Sequence, residues 1–168
     1  MEEWTCHGKN KIIMKNLPTY EAFINESIFL NEIGEIKNPY KYEIVSDPSD
    51  SDSVYRFTNK NGIEYLITFA RLDMTTVDVE FGIVDGRKIN MKSVANVGDP
   101  LTIFSTVIDA LVKYVKENPE IEVISYSPVS NFQDDARREK IYMEYMKKNF
   151  DIKKTWTEDG PTVMVKIK

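Results

Sequence analysis

The middle of the chain alternates hydrophobic and polar side chains with a period of two. Residues 75–84 show this alternation most clearly, because their apolar positions would share one face of a strand: Val77, Val79, Phe81 and Ile83. The intervening Asp78 and Glu80 would then face water. Residues 54–71 contain two further β-like runs, joined at Asn61–Gly62, which is a strong hairpin signal. The pattern predicts three antiparallel strands in a meander.

Two later segments change to a helical period. Residues 101–117 carry a broad apolar stripe, formed by Leu101, Phe104, Val107, Ile108, Leu111, Val112 and Val115. Asp99 is suited to cap this helix, and Pro100 suits its first position, where an N–H has no partner in any case. A second helix is predicted to begin at Asp134 or Asp135, with one inward face: Ile141, Tyr142, Tyr145, Met146 and Phe150. Both segments are predicted to be amphipathic helices.

The remaining segments complete an α+β order. Shorter strands are predicted within residues 38–45, 121–127, 152–157 and 162–168, and an amphipathic helix begins at Thr19. The expected fold is a mixed, mostly antiparallel twisted sheet with helices on both faces. We expect residues 1–41 to be an N-terminal extension that contains the first helix, and residues 42–168 to be a single domain.

Composition and charge exclude several classes of function. The 22 basic and 27 acidic residues give a net charge of −5, which argues against nucleic-acid binding. No apolar run reaches the ~20 residues needed to span a bilayer. Cys6 and His7 are the only residues of their types, so a metal site, a disulfide and a Ser-His-Asp or Cys-His catalyst are not expected. The acidic run at residues 46–53 lacks an EF-hand pattern and is expected to be a solvated loop.

The order of elements and three residues of the second helix carry a family resemblance. The helix includes Ala136, Tyr142 and Phe150, and the segment before the first helix contains Gly98. This arrangement resembles the GNAT (Gcn5-related N-acetyltransferase) superfamily over residues 42–168. The resemblance implies a GNAT-like fold, acetyl-CoA as cofactor, and Tyr142 as the general acid that protonates the departing CoA thiolate.

The same resemblance places a cofactor-binding turn before the first long helix. Asn96, Val97 and Gly98 would hold the CoA pyrophosphate there with backbone N–H groups at the helix N-terminus. Glu80, on the wet face of its strand, is a candidate base that would take a proton from an amine substrate. Each residue also has an ordinary interpretation: Tyr142 fits a core position, and Glu80 fits a solvated one.

The residues at the start of the first long helix favour a non-catalytic interpretation. Asp99 places a carboxylate where pyrophosphate would bind, and Pro100 removes an N–H that would bind it. The leading hypothesis is therefore a degenerate GNAT-like protein that needs no cofactor and acts by binding a protein partner. The alternative is a CoA-dependent N-acyltransferase with a divergent turn. A third hypothesis is an acidic decoy that occupies a basic site on a nucleic-acid-binding protein.

A second resemblance lies in the N-terminal helix. Residues 19–26, with the sequence TYEAFINE, resemble leader peptides at the front of proteins from large tailed phages. The resemblance implies a bacteriophage accessory or virion-associated protein, located in the host cytoplasm or the virion. No signal peptide for secretion is expected, because the N-terminus has no apolar core. The partner and the oligomeric state stay open at this level.

Overall fold

One eight-stranded sheet and two helices make up the described part of this computed structural model, which covers residues 35–46, 51–85, 88–90, 100–127, 135–158, 160 and 162–168. The strands are β1 (Tyr42–Ile44), β2 (Ser53–Thr58), β3 (Glu64–Arg71), β4 (Thr76–Asp85), β5 (Lys88–Asn90), β6 (Val123–Tyr126), β7 (Lys154–Glu158) and β8 (Thr162–Lys166). The helices are α1 (Pro100–Glu117) and α2 (Asp135–Asn149).

Strands β1 to β4 form the predicted antiparallel meander. The β2–β3 connection turns at Gly62, whose φ of 77° lies in the left-handed region that glycine tolerates best. The side chain of Asn59 stabilises this turn by accepting hydrogen bonds from the backbone N–H groups of Asn61 and Ile63, both at 2.9 Å. The Asn-Gly signal in the sequence therefore marked a real hairpin.

The second half of the sheet is reached by a crossover through α1. Strand β6 runs parallel to β4, and β8 and β7 follow as antiparallel neighbours, so the order is β1-β2-β3-β4-β6-β8-β7. Strand β5 pairs with β4 outside this path. The predicted α+β fold class, with a mixed and mostly antiparallel sheet, is confirmed.

Both described helices pack against one face of the sheet, whereas helices on both faces were expected. Tyr114 of α1 stacks on Phe69 of β3, and Tyr142 of α2 contacts Phe81 of β4. Phe69 and Phe81 lie on one face because the pairing of β3 with β4 aligns Phe69 with Val79. The core therefore lies between this face and the two helices. The predicted helix that begins at Thr19 lies outside the described residues.

Residues 35–41 lie across α1 and bury its outer side. Ser105 donates a hydrogen bond to the carbonyl of Glu35 at 3.2 Å and accepts one from the N–H of Lys37 at 3.2 Å. One residue further along α1, the hydroxyl of Thr106 accepts a hydrogen bond from the N–H of Tyr40 at 2.9 Å. These bonds satisfy two buried hydroxyl groups that would otherwise be costly inside the protein. They also fix the direction from which the chain enters β1.

Strand β5 is an addition to the predicted order. Its pairing with β4 aligns Asp85 with Lys88, so only two residues separate the paired strands. Gly86, which follows directly on an alternating run, was the sequence signal for such a hairpin. A three-residue strand is too short to show a period of its own, which is why the pattern missed it.

Candidate functional site

Strands β4 and β6 separate halfway along β4, and we call this place the β4–β6 cleft. Strand β6 pairs with Thr76–Val79 only, whereas β4 runs on to Asp85. Strand β5 pairs with the same edge of β4 nearer to the end of that strand. The pairing of Ile83 shows this, because its partners are β3 on one side and Asn90 of β5 on the other. The edge between them comprises Glu80–Gly82.

The helix side of the cleft is filled by an aromatic cluster. The ring of Tyr142 stacks on that of Tyr126 with centroids 5.0 Å apart. It meets Phe104 edge-on at 5.1 Å and Phe81 at 5.9 Å. Phe81, Phe104 and Tyr126 are buried, whereas Tyr142 is half-buried. Each such ring pair adds about 0.5–1.5 kcal/mol beyond the burial of its area, so the cluster is a stable part of the core.

Helical spacing brings a fifth ring to the cluster. Tyr145 lies one turn beyond Ile141 and Tyr142 on α2, so all three side chains face the sheet and α1. The ring of Tyr145 stacks on Phe104 at 5.8 Å, and its hydroxyl donates to the carbonyl of Leu101 at 3.2 Å. That bond satisfies the polar end of a fully buried side chain. It also joins α2 to the first turn of α1.

The opposite side of the cleft is polar. The hydroxyl of Ser125 donates to Asp78 at 2.6 Å across the paired strands. Glu80 follows on the same face and is exposed. The protein surface around the Glu80 carboxyl nevertheless removes enough water to raise its pKa above the usual value, and the negative charge of Asp78 adds to this effect. A general base needs a pKa near the operating pH, and a raised pKa brings a carboxyl group closer to this condition.

The two predicted catalytic residues lie on opposite sides of the sheet. Phe81, the next residue in β4 after Glu80, points to the helix side and contacts Tyr142. Because successive strand residues alternate in direction, Glu80 points the other way. The structure therefore places both residues at the β4–β6 cleft but does not bring them to the same side of it.

The structure does not describe the other predicted site residues. Asn96, Val97 and Gly98, the predicted pyrophosphate-binding turn, are outside the described residues, as is Asp99.

Within the described ranges, no group of three or more His, Cys, Asp or Glu side chains could hold a metal ion. None of the helices in the same part of the chain is long and apolar enough to cross a membrane.

Sequence reasoning identified Tyr142 but not the rings that hold it. Its partners come from β4, α1 and β6, so they are separated from it by between 16 and 61 residues along the chain. Phe81 and Phe104 were already assigned to apolar faces by their periods, and Tyr126 lay in an apolar run. No local pattern indicates that these faces meet around one tyrosine.

Comparison with solved structures gives distant neighbours, and these include two acetyltransferases. One is a GNAT family acetyltransferase from Elizabethkingia anophelis with acetyl-CoA bound, with a TM-score of 0.43, 10% identity, and 79% of this chain and 99% of that chain covered. The other comprises mutant forms of the spermidine/spermine N-acetyltransferase SpeG from Vibrio cholerae. Its TM-score is 0.35 and its identity 10%, and the match covers 71% of this chain and 66% of that chain. Likeness at this level assigns no activity to the chain.

Comparison at the level of sequence gives a family. No curated protein matches the chain. The model of a family of unknown function, DUF6934, matches residues 37–158. This match begins in the segment that crosses α1 and ends with β7, so it includes the whole of the β4–β6 cleft. The chain therefore belongs to DUF6934, a family of unknown function.

Proposed function

We propose that this protein is a non-catalytic, GNAT-like scaffold that acts by binding another protein. The observation that carries the proposal is the short free edge of β4 in the cleft. Strand β6 covers the first part of this edge, and β5 covers the last part. Among the described residues of β4, only Glu80–Gly82 have neither neighbour, a length of about 10 Å at ~3.3 Å per residue.

The described residues do not fit the pantetheine arm of acetyl-CoA. The arm is an extended chain with two amide groups, and both need hydrogen-bond partners once they leave water. A free strand edge is the natural partner, but β5 already occupies the continuation of β4. Behind the edge, the stacked rings of Tyr126 and Tyr142 fill the helix side of the cleft. These two features argue against a catalytic step that uses CoA.

The arrangement of Tyr142 and Glu80 supports the same conclusion. An acid and a base in one acyl transfer must both reach the reacting atoms. These two side chains lie on opposite sides of β4, and the ring of Tyr142 is held by three neighbouring rings. A tyrosine packed in this way serves the core.

Exposed apolar side chains at the edge of the sheet support a protein partner. Ile44 in β1 is 61% exposed, and the adjacent Val45 is 42% exposed. They adjoin an open depression of about 490 Å³, lined by aromatic and charged side chains that include Tyr40, Lys41, Tyr42, Glu43, Arg56 and Phe57. Apolar groups rimmed by charges are typical of sites that bind proteins.

A bacteriophage accessory or virion-associated role is the narrower form of the proposal. Its support is the leader-like sequence of residues 19–26, which lies outside the described residues. The narrower form also places the protein in the host cytoplasm or in the virion. It stays a prediction that depends on identifying the partner.

Assay of thiol release tests the non-catalytic part of the proposal. The full chain would be mixed with acetyl-CoA and a panel of polyamines and lysine-containing peptides, and free CoA thiol would be measured. We expect CoA thiol to be released no faster than in the same mixture without the protein. A faster rate that disappears in Tyr142→Phe but persists in Tyr40→Phe, a matched change far from the cleft, would overturn the proposal.

Site-specific photo-crosslinking tests the binding part. A photoreactive amino acid would replace Ile44 in one variant and Lys147 in another, and both would be expressed in cells of the protein's own organism. We expect a discrete adduct with one protein from position 44 and none from position 147, which is exposed on α2, away from β1. This second position serves as the control. Equal labelling at both positions, or no adduct from position 44, would contradict a partner site at β1.

Acyl transfer is the second candidate function, and one observation favours it. Strands β4 and β6 do separate after Val79 and Tyr126, and Glu80, with its raised pKa, lies where they separate. A carboxyl group at such a position suits deprotonation of an amine. In the thiol-release assay, this candidate predicts activity that Glu80→Gln lowers and that rises with pH as the Glu80 carboxyl ionises.

A further inference from the structure

Strand β7 forms one outer edge of the sheet. It pairs with β8 on one side, and within the described ranges no strand pairs with its other side. Of its five residues, Lys154–Glu158, four are exposed and Trp156 is half-buried. Among the described residues, its outer edge thus presents backbone N–H and C=O groups with no strand beside them, and such groups readily accept another strand.

The sequence of β7 is complementary to itself when a second copy runs in the opposite direction. Trp156 is the centre, Thr155 and Thr157 flank it, and the ends are the opposite charges Lys154 and Glu158. Two antiparallel copies related by a two-fold axis through Trp156 would place tryptophan against tryptophan. Threonine would lie against threonine, and each lysine would lie against a glutamate.

We propose that β7 pairs with β7 of a second copy of this chain, antiparallel and centred on Trp156, to give a homodimer with one continuous sheet. A two-fold interface presents the same patch from both subunits and must therefore complement itself. The central strand residue and the two pairs of charges meet this condition. Aromatic, threonine and opposite-charge pairs are all favourable when they lie directly opposite each other on neighbouring strands.

The side chains of β7 are already arranged for such pairing. The ammonium group of Lys154 lies 5.5 Å from the centre of the Trp156 ring, and the indole N–H donates to Glu158 at 3.0 Å. The three side chains therefore lie in one row on one face of the strand. In the dimer this row would face an identical row in the reverse direction, so each charge would gain a partner of opposite sign.

The charges also select this pairing over others. A parallel arrangement would put Lys154 opposite Lys154 and Glu158 opposite Glu158, which is unfavourable. A slip by one residue would place Trp156 against threonine and turn alternate side chains to the wrong face. Strands β1 and β5, which also pair on one side only among the described residues, have three residues each and so offer shorter ladders.

Charge reversal at the two ends of β7 tests the proposal. Sedimentation velocity of the full chain over a range of concentrations should show a monomer–dimer equilibrium. Lys154→Glu and Glu158→Lys, each alone, should raise the dissociation constant by about tenfold or more, because both pairs become repulsive. Lys60→Glu, in the β2–β3 turn, makes the same change of charge away from β7 and should leave the equilibrium unchanged.

Recombination of the two variants is the stricter part of the test. An equimolar mixture of Lys154→Glu and Glu158→Lys should form a dimer, since each glutamate would then face a lysine. The double variant, with the charges exchanged, should dimerise alone. A wild-type chain that stays monomeric at all concentrations would overturn the proposal. So would single variants that dimerise like the wild type, or a mixture that stays monomeric.

Discussion

Arg71 shows how one side chain can hold three elements together. It lies at the end of β3, and its Nε donates to the hydroxyl of Tyr114 on α1 at 2.9 Å. Its Nη2 donates to Asn118 at 2.8 Å and to Glu120 at 2.6 Å, in the connection from α1 to β6. The planar guanidinium group provides several fixed donors, which suits such a junction.

Replacement of Arg71 should therefore destabilise the fold. We expect Arg71→Ala to lower the free energy of unfolding by about 2 kcal/mol, because one hydrogen bond to a charged group contributes about 1.5–3 kcal/mol and the site is partly exposed. Arg71→Lys keeps the charge but not the geometry, and should recover less than half of this loss. Urea unfolding at neutral pH measures both variants. Full recovery by lysine would contradict the role of the donor geometry.

Tyr42 gives a prediction about alkaline pH. Its hydroxyl donates to Asp109 at 2.7 Å, and partial burial, followed by this hydrogen bond and the aspartate charge, raises its pKa well above the usual value. The unfolded chain loses this proton near pH 10, whereas the folded chain keeps it. The stability due to Tyr42 is thus complete below pH ~10 and is lost as pH rises towards the folded pKa.

Comparison of Tyr42→Phe with the wild type isolates this effect. At neutral pH the variant should be less stable by about 1 kcal/mol, the typical contribution of one hydrogen bond. Between pH 9 and 11 the difference between the two proteins should shrink, since both share the titration of all other groups. Urea midpoints across this range measure it. A difference that stays constant with pH would contradict the raised pKa.

At the scale of elements, α1 depends on the segment that crosses it. Thr106 is fully buried, accepts a hydrogen bond from the N–H of Tyr40 at 2.9 Å and donates to the carbonyl of Thr102 at 2.7 Å. The helical stripe in the sequence predicted the side of α1 that faces the sheet. It did not predict that residues 35–41 would bury the other side, because such a contact spans 66 residues.

Thr106→Val should weaken this attachment with little change in shape. The N–H of Tyr40 would lose the hydroxyl acceptor, at a cost of about 1–3 kcal/mol for a buried polar group. Thr106→Ser keeps the hydroxyl and should lose less. Amide hydrogen exchange at Tyr40, together with urea unfolding, distinguishes the two variants. Unchanged exchange in Thr106→Val would show that this hydrogen bond does not hold the segment in place.

The elements differed in how far the sequence could predict them. Period-two alternation identified β4, and the apolar stripe identified α1, since each pattern extends over at least ten residues. The three residues of β5 were too few for such a pattern. Tyr142 was found as a candidate, but its surroundings depend on the pairing of β4 with β6 and on the packing of α2, which no local pattern contains.

For the whole molecule, the arrangement of the sheet decides the functional interpretation. An opened sheet between β4 and β6 would suit a cofactor with an extended arm, and the two strands do separate after Val79. However, β5 pairs with the same edge of β4, and the rings of Tyr126 and Tyr142 lie behind that edge. Together they occupy space that the arm of such a cofactor would need. The proposed function therefore depends on one physical claim: strand β5 and the aromatic rings on the helix side leave the cleft too little free edge and space for the cofactor.

Calorimetric titration of acetyl-CoA into the full chain tests this claim most directly. We predict no heat of binding above dilution, even with millimolar acetyl-CoA, because the described cleft offers the pantetheine arm a free edge of only three residues, and aromatic rings occupy its helix side. Binding with a micromolar dissociation constant would contradict the claim. The β4–β6 cleft would then have to open in solution, and Tyr142 and Glu80 would return as candidates for catalysis.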